Sequence, residues 1–307
     1  MSGSSEILHG SPKGAGSDMA DSEGGYEAQG IYPDYNGIWR NAVRLNNSSK
    51  GTADCVSHWE DRESVYRFIK SDEIQDNERI MWIMECLDIK PDDRVLDIGA
   101  GPGTVSLEIA KVCSHLTAVE PSGVMAEVFE ERAAAQGISN YDLVRKRWED
   151  IVPGEDLEGK YDLVISSFSL GMEDLKDSLV KMSSVCCGSL HIFNHAGPLP
   201  WEHMRCALWK RLHGKEYVPV PKADLIMSVL YQLEIYPDLT CRKFVSDNYF
   251  GGLDELISFY ANKLKITDDS GRKMIAGYLK DIAEYKDGRY IIKETGIKAH
   301  LSWDCSG

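Results

Sequence analysis

The amino-acid sequence predicts an α/β fold in which a doubly wound, mostly parallel sheet of seven strands is flanked by helices. The first observation is that strand-like apolar runs alternate with helix-like segments between residues 85 and 197. The second is a glycine-rich turn directly after the first of these runs. The third is the run at residues 161–168, which is apolar enough to be a strand buried on both faces. Such alternation implies right-handed crossovers and a parallel sheet.

Each element of this core is predicted from the spacing of its apolar residues and from the turn signals around it. Ser122 and Gly137 mark the two ends of one helix, because serine caps a first turn and glycine adopts the left-handed conformation that ends a helix. The predicted order is a helix at 76–87, a strand at 94–98, a helix that buries Val105, Ile109 and Val112, a strand at 116–120, a helix at 122–135, strands at 141–147 and 161–168, a helix that buries Leu175, Leu179 and Met182, and a strand at 189–194.

Four further regions surround the core at residues 85–197. Residues 1–25 are rich in glycine, serine and acidic residues, so we expect a disordered tail. Residues 26–84 are predicted to form a helical and aromatic N-terminal cap. Residues 198–238 begin with a proline- and tryptophan-rich stretch that is too long for an ordinary connection, which favours an inserted lid. Residues 239–307 are expected to complete the sheet, with a strand at 239–245, helices near 253–264 and 274–282, and closing strands at 290–292 and 298–303.

Composition and charge restrict the class of protein. The 307 residues are 43% hydrophobic, which is enough for a large buried core. The sequence has 34 basic and 49 acidic residues, and the resulting net charge of -15 disfavours nucleic acid as a partner. The eight cysteines form no C-x-x-C pair, which favours a reducing compartment. No run approaches the roughly 20 apolar residues of a membrane span, so we expect a cytoplasmic protein that does not contact membranes.

The glycine-rich turn has the sequence D-I-G-A-G-P-G-T and begins at Asp97. Glycines at 99, 101 and 103 allow backbone conformations that a side chain would forbid and let a ligand approach the chain closely. The helix that follows offers free N–H groups at its N-terminus. A dinucleotide-binding fingerprint would place its third glycine where Thr104 stands, so a nicotinamide oxidoreductase is disfavoured. The glycine spacing therefore favours a loop that binds a ligand other than a dinucleotide, with a purely structural loop as the alternative.

This turn resembles motif I of the class I S-adenosylmethionine-dependent methyltransferases, in which it wraps the methionine and ribose portions of the cofactor. The resemblance covers residues 85–197 closely and implies a Rossmann-like fold with S-adenosylmethionine as cofactor. Glu120 matches the family acid that accepts the ribose hydroxyls, although an ordinary helix-capping acid is the alternative. The segment after the third strand is implied to contact adenine, and the end of the fourth to face the methyl group. The implied cofactor residues are Asp97, Gly99, Ala100, Gly101, Gly103, Thr104, Glu120, Pro121, Met125, Trp148, Glu149, Ser166 and Ser167.

The acceptor site is predicted from residues around the same sheet edge. The fourth strand ends in Ser-Ser-Phe, whereas the amine-methylating subgroup has Asn or Asp followed by Pro-Pro and an aromatic residue. Methylation of an amide or exocyclic amine through that motif is therefore not expected. Aromatic residues before and after the core are predicted to line an acceptor pocket, with core packing as the alternative. These pocket residues are Tyr35, Trp39, Trp59, Phe168 and Trp201.

His195 follows the fifth strand and is the candidate catalytic residue, because an imidazole has a pKa near neutrality and can accept a proton. A hydrogen-bonded loop histidine is the alternative. His203 and His213 have no metal-site spacing, so no metal is expected. The resulting hypothesis is methyl transfer by in-line displacement to a small molecule, with a protein side chain second and a non-catalytic cofactor-binding regulator as a further class. The acceptor and the oligomeric state do not follow from the sequence.

Overall fold

The computed structural model describes residues 32–52, 56–59, 61–74, 77–197 and 199–306. The predicted tail at residues 1–25 and the first part of the predicted cap therefore lie outside the described residues. All the elements below belong to the compact unit of residues 34–307. Among the described residues, no helix is long and apolar enough to cross a membrane.

One eight-stranded sheet forms the centre of this unit, in the order β3-β2-β1-β4-β5-β8-β6, with β7 paired to β8. The first five strands run parallel to one another. β8 is antiparallel to both β5 and β6. The predicted α/β class with a mostly parallel sheet is therefore confirmed, with eight strands instead of the expected seven. The strands are β1 Arg94–Ile98, β2 His115–Val119, β3 Tyr141–Val144, β4 Tyr161–Ser167, β5 Cys186–His195, β6 Asp238–Phe250, β7 Glu284–Lys286 and β8 Arg289–Asp304.

Helices lie before, between and after these strands. In α5, the Ser122 hydroxyl accepts a hydrogen bond from the Met125 N–H at 3.2 Å, and Gly137 ends the helix with a φ of 67°, as the sequence predicts. Val112 lies beyond the end of α4 and is exposed, contrary to its predicted burial. The helices are α1 Tyr35–Lys50, α2 Arg62–Ile74, α3 Glu78–Cys86, α4 Ser106–Ala110, α5 Gly123–Gln136, α6 Leu175–Val185, α7 Pro200–His213, α8 Ala223–Gln232, α9 Leu253–Lys263 and α10 Asp269–Ile282.

The apolar core lies on both faces of the sheet. Successive β1 residues point in opposite directions, so that Leu96 packs with α6 and α8 while Val95 packs with α3 and α4. In β4, Val164 and Ile165 divide in the same way between the two faces. Burial on both faces explains why these strands read as continuous apolar runs.

The C-terminal strands are longer than the sequence pattern predicts. β8 is a single strand that continues through Gly296, whereas two closing strands were expected around that glycine. It pairs along its length with β6, from the Asp238–Ser302 pair to the Phe250–Tyr290 pair. Pairing with a long neighbour supplies the backbone hydrogen bonds that keep Gly296 extended, and this is a tertiary effect without a local signal.

The region predicted as one inserted lid contains two helices that pack against the body of the protein. α7 buries Leu208 and Trp209 in a cluster with α9 and α10. α8 buries Ile226 and Leu230 in the main core with α6. These side chains are nearly inaccessible, so both helices are packed parts of the compact unit, and a lid role for residues 198–238 stays a prediction.

Candidate active site

The chemistry-bearing residues meet at the carboxyl edge of the parallel strands. β1 leads into the glycine-rich turn and β2 into Glu120, while β4 ends beside Phe168 and β5 ends at His195. Because these four strands are parallel, their carboxyl ends lie at the same edge of the sheet. Open α/β sheets place their ligand sites at this edge.

The three turn glycines have left-handed backbone conformations, with φ of 76° at Gly99, 58° at Gly101 and 77° at Gly103. A Cβ atom on Gly99 would lie 2.3 Å from Ser169 Cβ, and one on Gly103 would lie 2.8 Å from a Phe129 ring carbon. These two glycines are therefore required by packing as well as by conformation. Gly101 has only Met125 Sδ within reach, at 3.3 Å, so it is the turn position with most open space beside it.

Glu120 is tied to the same turn. Its carboxylate is buried and accepts the Gly101 N–H at Oε2, at 2.8 Å, and the Ser122 N–H at Oε1, at 2.7 Å. Burial raises the pKa of Glu120, and the two backbone donors oppose that shift. A carboxylate oxygen can accept two hydrogen bonds, and each oxygen of Glu120 accepts one from the backbone, so both keep a lone pair for a ligand hydroxyl. The cap of α5 is Ser122 itself, which argues against Glu120 as an ordinary capping acid.

Asp97 and two serines add polar groups under the turn. Asp97 Oδ2 accepts a hydrogen bond from the Ser106 hydroxyl at 2.5 Å, while Oδ1 is buried without a partner among the described residues. Burial raises the pKa of Asp97 to about 7, and the nearby charge of Glu120 acts in the same direction. The Ser167 hydroxyl is likewise buried and without a partner in the described part of the chain. Ser166 Oγ lies 2.8 Å from Ser169 Oγ. A donor-rich ligand would satisfy the two unpartnered atoms.

The predicted adenine contacts lie after β3. Trp148 is almost fully buried, and its indole N–H donates to the Ser178 carbonyl at 3.3 Å. Its ring packs in the main core, so little of it is offered to a ligand. Glu149, the next residue, is exposed. The role of either residue in binding adenine stays a prediction.

The predicted pocket aromatics do not form one group. Trp39 is fully buried in the main core, and its indole N–H donates to the Met172 carbonyl at 2.8 Å, so the structure gives it a packing role instead of a pocket surface. Tyr35 packs against the edge of the same core. Trp59 packs edge to face on Phe68, with ring centroids 5.4 Å apart. The helical spacing that buries Trp39 against α6 and α8 was overlooked in the sequence.

Phe168 and Trp201, by contrast, both contact His195. The Phe168 ring centroid is 4.8 Å from the imidazole, and the Trp201 ring centroid is 5.6 Å from it. Phe168 has a φ of 56°, which is strained for a bulky residue, and its N–H donates to the Phe193 carbonyl at 2.8 Å. We call Phe168, His195 and Trp201 the aromatic triplet. It lies at the end of β4 and β5, where the sequence predicts the acceptor.

Three cationic side chains from separate elements surround the aromatic triplet. The Arg79 guanidinium of α3 lies 5.6 Å from the Phe168 ring centroid, and the Lys298 ammonium of β8 lies 5.9 Å from it. Lys222 precedes α8 and pairs with the buried Glu202 at 3.0 Å. The sequence analysis missed all three, because only the tertiary fold brings α3, β8 and the α8 loop together.

The environment of His195 corrects its expected near-neutral pKa. Burial lowers the pKa of His195 to about 3, and the charges of Lys298, Lys222 and Arg79 act in the same direction. The Nδ1 atom is buried with no hydrogen-bond partner among the described residues. His195 is therefore neutral at physiological pH, and in this environment its imidazole is a weak base.

Comparisons with known proteins support the cofactor half of this site. Residues 95–187 match the family described as a methyltransferase domain. A 23S rRNA uracil-C5-methyltransferase of Klebsiella pneumoniae is 32% identical over 85 residues, which is 28% of this chain and 20% of that protein. The ribosomal RNA small subunit methyltransferase A of Thermotoga neapolitana is 37% identical over 75 residues, which is 24% of this chain and 27% of that protein. The matches thus span about a quarter of these relatives or less.

A solved structure shares the fold over a larger part of the chain. The crystal structure of a protein of Bacillus halodurans, described provisionally as a methyltransferase, superposes with a TM-score of 0.53 and 12% sequence identity. The superposition covers 74% of this chain and 99% of that one. At this identity the likeness shows the fold alone, and it agrees with the predicted Rossmann-like class.

Proposed function

We propose that this chain is a class I S-adenosylmethionine-dependent methyltransferase, whose residues 95–187 match a methyltransferase domain, and that it methylates a small-molecule acceptor. The observation that carries the cofactor assignment is the buried Glu120 carboxylate held 2.8 Å from the Gly101 N–H. This contact fixes an acid beside the most open position of a left-handed glycine turn. The unpartnered Asp97 Oδ1 and Ser167 Oγ atoms fit a donor-rich ligand at the same edge.

When bound, S-adenosylmethionine supplies a methyl group that is already electrophilic, because it is attached to a positively charged sulfur. The residues of this chain then have to bind, align and exclude water. Glu120 would accept the ribose hydroxyls. The aromatic triplet would cover the reacting face with apolar surface, and His195 Nδ1 would accept a proton from the acceptor.

Three features favour a small molecule over RNA as the acceptor. The relatives named for rRNA methylation match this chain over only 85 and 75 residues. An RNA would also have to bind against a net charge of -15. The aromatic triplet offers aromatic surface at the carboxyl edge of the sheet, which suits a compact acceptor.

The test is to incubate the protein with S-adenosylmethionine carrying a labelled methyl group and three fractions of an extract of its source cells. The fractions are small molecules, total RNA and protein. We expect the label in the small-molecule fraction, and we expect it to be lost with Glu120→Ala. Label in RNA or protein alone would refute the proposed acceptor class. No transfer to any fraction, with cofactor binding intact, would refute catalysis.

A further inference from the structure

We propose that the outer edge of β6 is a dimer interface, at which a second copy of this chain pairs antiparallel with β6 around a two-fold axis at Val245. The inference goes beyond the proposed function and does not rest on it. In the sheet, β8, β5 and β4 separate β6 from β1, which carries the glycine-rich turn.

The first observation is the backbone of β6. This strand has 13 residues and lies at the end of the strand order, so it pairs with β8 on one side only. Every second residue of an antiparallel strand directs its N–H and C=O groups away from that neighbour. Within the described residues, no backbone hydrogen bond joins β6 to a segment other than β8. The outer edge is therefore a row of donors and acceptors that another strand can use.

The sequence of β6 lacks most of the features that block association at a strand edge. The strand reads D-L-T-C-R-K-F-V-S-D-N-Y-F, without proline or glycine, and its register with β8 is regular from end to end. Short strands, prolines and bulges are the usual obstacles to such pairing. Lys243 is the exception, because a lysine on an edge opposes pairing unless an acid lies opposite it.

The second observation is that one face of β6 is exposed and partly apolar. Leu239, Val245 and Tyr249 share this face and are 44%, 55% and 56% exposed. The other face is covered by α3, where the buried Phe244 ring packs on Trp82 with centroids 5.3 Å apart. A second β6 strand beside the first would cover part of the exposed apolar side chains.

The third observation is a charge pattern that is complementary to itself. When two copies of β6 pair around Val245, Val245 faces itself and Lys243 faces Asp247 of the second copy. The two-fold axis repeats this pair, so each dimer contains it twice. An axis at Lys243 or at Asp247 would place like charges opposite each other. An axis at Phe244 or Ser246 would place Lys243 opposite Val245 or Tyr249, so only the axis at Val245 gives Lys243 an acid.

The two charges have incomplete partners within one chain. Lys243 lies opposite the apolar Ile297 in the β6–β8 register. Asp247 lies opposite Lys293, but the Lys293 ammonium pairs with Glu284 at 3.0 Å. The remaining contact of Asp247 is a hydrogen bond at 3.4 Å from the Tyr249 hydroxyl. An Asp247 carboxylate at the edge can therefore accept a lysine from a second copy.

Sedimentation equilibrium of the full chain measures the association. We expect a reversible equilibrium between one chain and two, with dimers present at about 100 µM protein. A single chain at that concentration would overturn the proposal, whether the edge is open or covered by another segment of the same chain. Assemblies that grow without limit would also overturn it, because a two-fold interface closes at the dimer.

Charge reversal tests the register. Lys243→Glu or Asp247→Lys alone places like charges opposite each other, and each should raise the dimer dissociation constant about ten-fold. The double variant restores opposite charges and should return the constant to within about three-fold of wild type. Lys286→Glu is the matched control, because Lys286 is an exposed lysine of β7 in the same sheet, and it should have no effect. A double variant no tighter than the single ones, or an equal effect of Lys286→Glu, would refute this register.

Disulfide crosslinking provides a readout that leaves the charges unchanged. The Cβ atoms of two Val245 residues facing each other would be about 4.5 to 5.5 Å apart, close to the span of a disulfide. With dioxygen and copper phenanthroline as oxidant, Val245→Cys should form a covalent dimer. The wild type should form none through its exposed Cys241, which would face Tyr249 of the second copy. No covalent dimer of Val245→Cys, or a wild-type dimer linked through Cys241, would overturn the axis at Val245.

Discussion

Replacement of Glu120 by alanine should weaken binding of S-adenosylmethionine and S-adenosylhomocysteine alike. In the proposed complex, its carboxylate accepts two ribose hydroxyls, and hydrogen bonds to a charged group contribute about 1.5 to 3 kcal/mol each. Both hydroxyls belong to one ribose, so the contributions of the two hydrogen bonds do not add in full. We therefore expect cofactor affinity to fall on the order of 10- to 150-fold. The interaction is present before and during the reaction, so the Michaelis constant for the cofactor should rise while turnover at saturation changes little.

The structure adds a stability term to this prediction. Glu120 also accepts the N–H groups of Gly101 and Ser122, at 2.8 and 2.7 Å. Alanine leaves both donors without that partner, and a buried unpaired donor costs about 1 to 3 kcal/mol. Glu120→Gln keeps one acceptor oxygen and should fall between wild type and alanine in both cofactor affinity and the free energy of unfolding.

Calorimetric titration with S-adenosylhomocysteine measures the affinity, and thermal unfolding followed by circular dichroism measures the stability. Glu127→Ala is the control, because Glu127 is an exposed acid on α5 that pairs with Arg62 at 3.4 Å. It should leave cofactor affinity unchanged. An unchanged affinity in Glu120→Ala, with the fold intact, would refute the ribose assignment.

Three further predictions concern stability. Burial and the neighbouring His300 lower the pKa of His191 to about 4, so the unfolded chain binds more protons than the folded protein below pH 6.5. The free energy of unfolding should therefore fall by up to about 3 kcal/mol as the pH drops from 6.5 to 4. In denaturant titrations, His191→Gln should reduce that fall. Gly103→Ala, at a φ of 77°, should destabilise the protein by about 1 to 3 kcal/mol. Gly277→Ala in α10 has open space beside it and should stabilise the protein by about 0.5 to 1 kcal/mol. Melting temperatures equal to that of the wild type would contradict both expectations. Trp39→Phe loses a buried hydrogen bond and should cost about 1 to 3 kcal/mol without changing cofactor affinity, and a selective loss of affinity would restore Trp39 to the site.

The pKa of His195 shows how a correct position can carry a wrong chemical expectation. Its place after β5 follows from the strand pattern, and the structure puts it beside Phe168 as a site residue should be. Its expected near-neutral pKa is wrong, because burial and three cations favour the neutral imidazole. Those cations are distant along the chain, so no local pattern could include them.

Local sequence patterns determined the parallel core, the glycine turn and the position of Glu120. Each depends on short-range rules, namely the period of apolar residues, the conformations that only glycine adopts readily and the short distance from one strand end to the next turn. The tertiary structure alone decided that β8 is one strand between β5 and β6, that Trp39 is core, and that Arg79 and Lys298 both lie near the Phe168 ring. The physical reason is that pairing, burial and electrostatic fields depend on residues far apart in the chain, which become neighbours only when the sheet has formed.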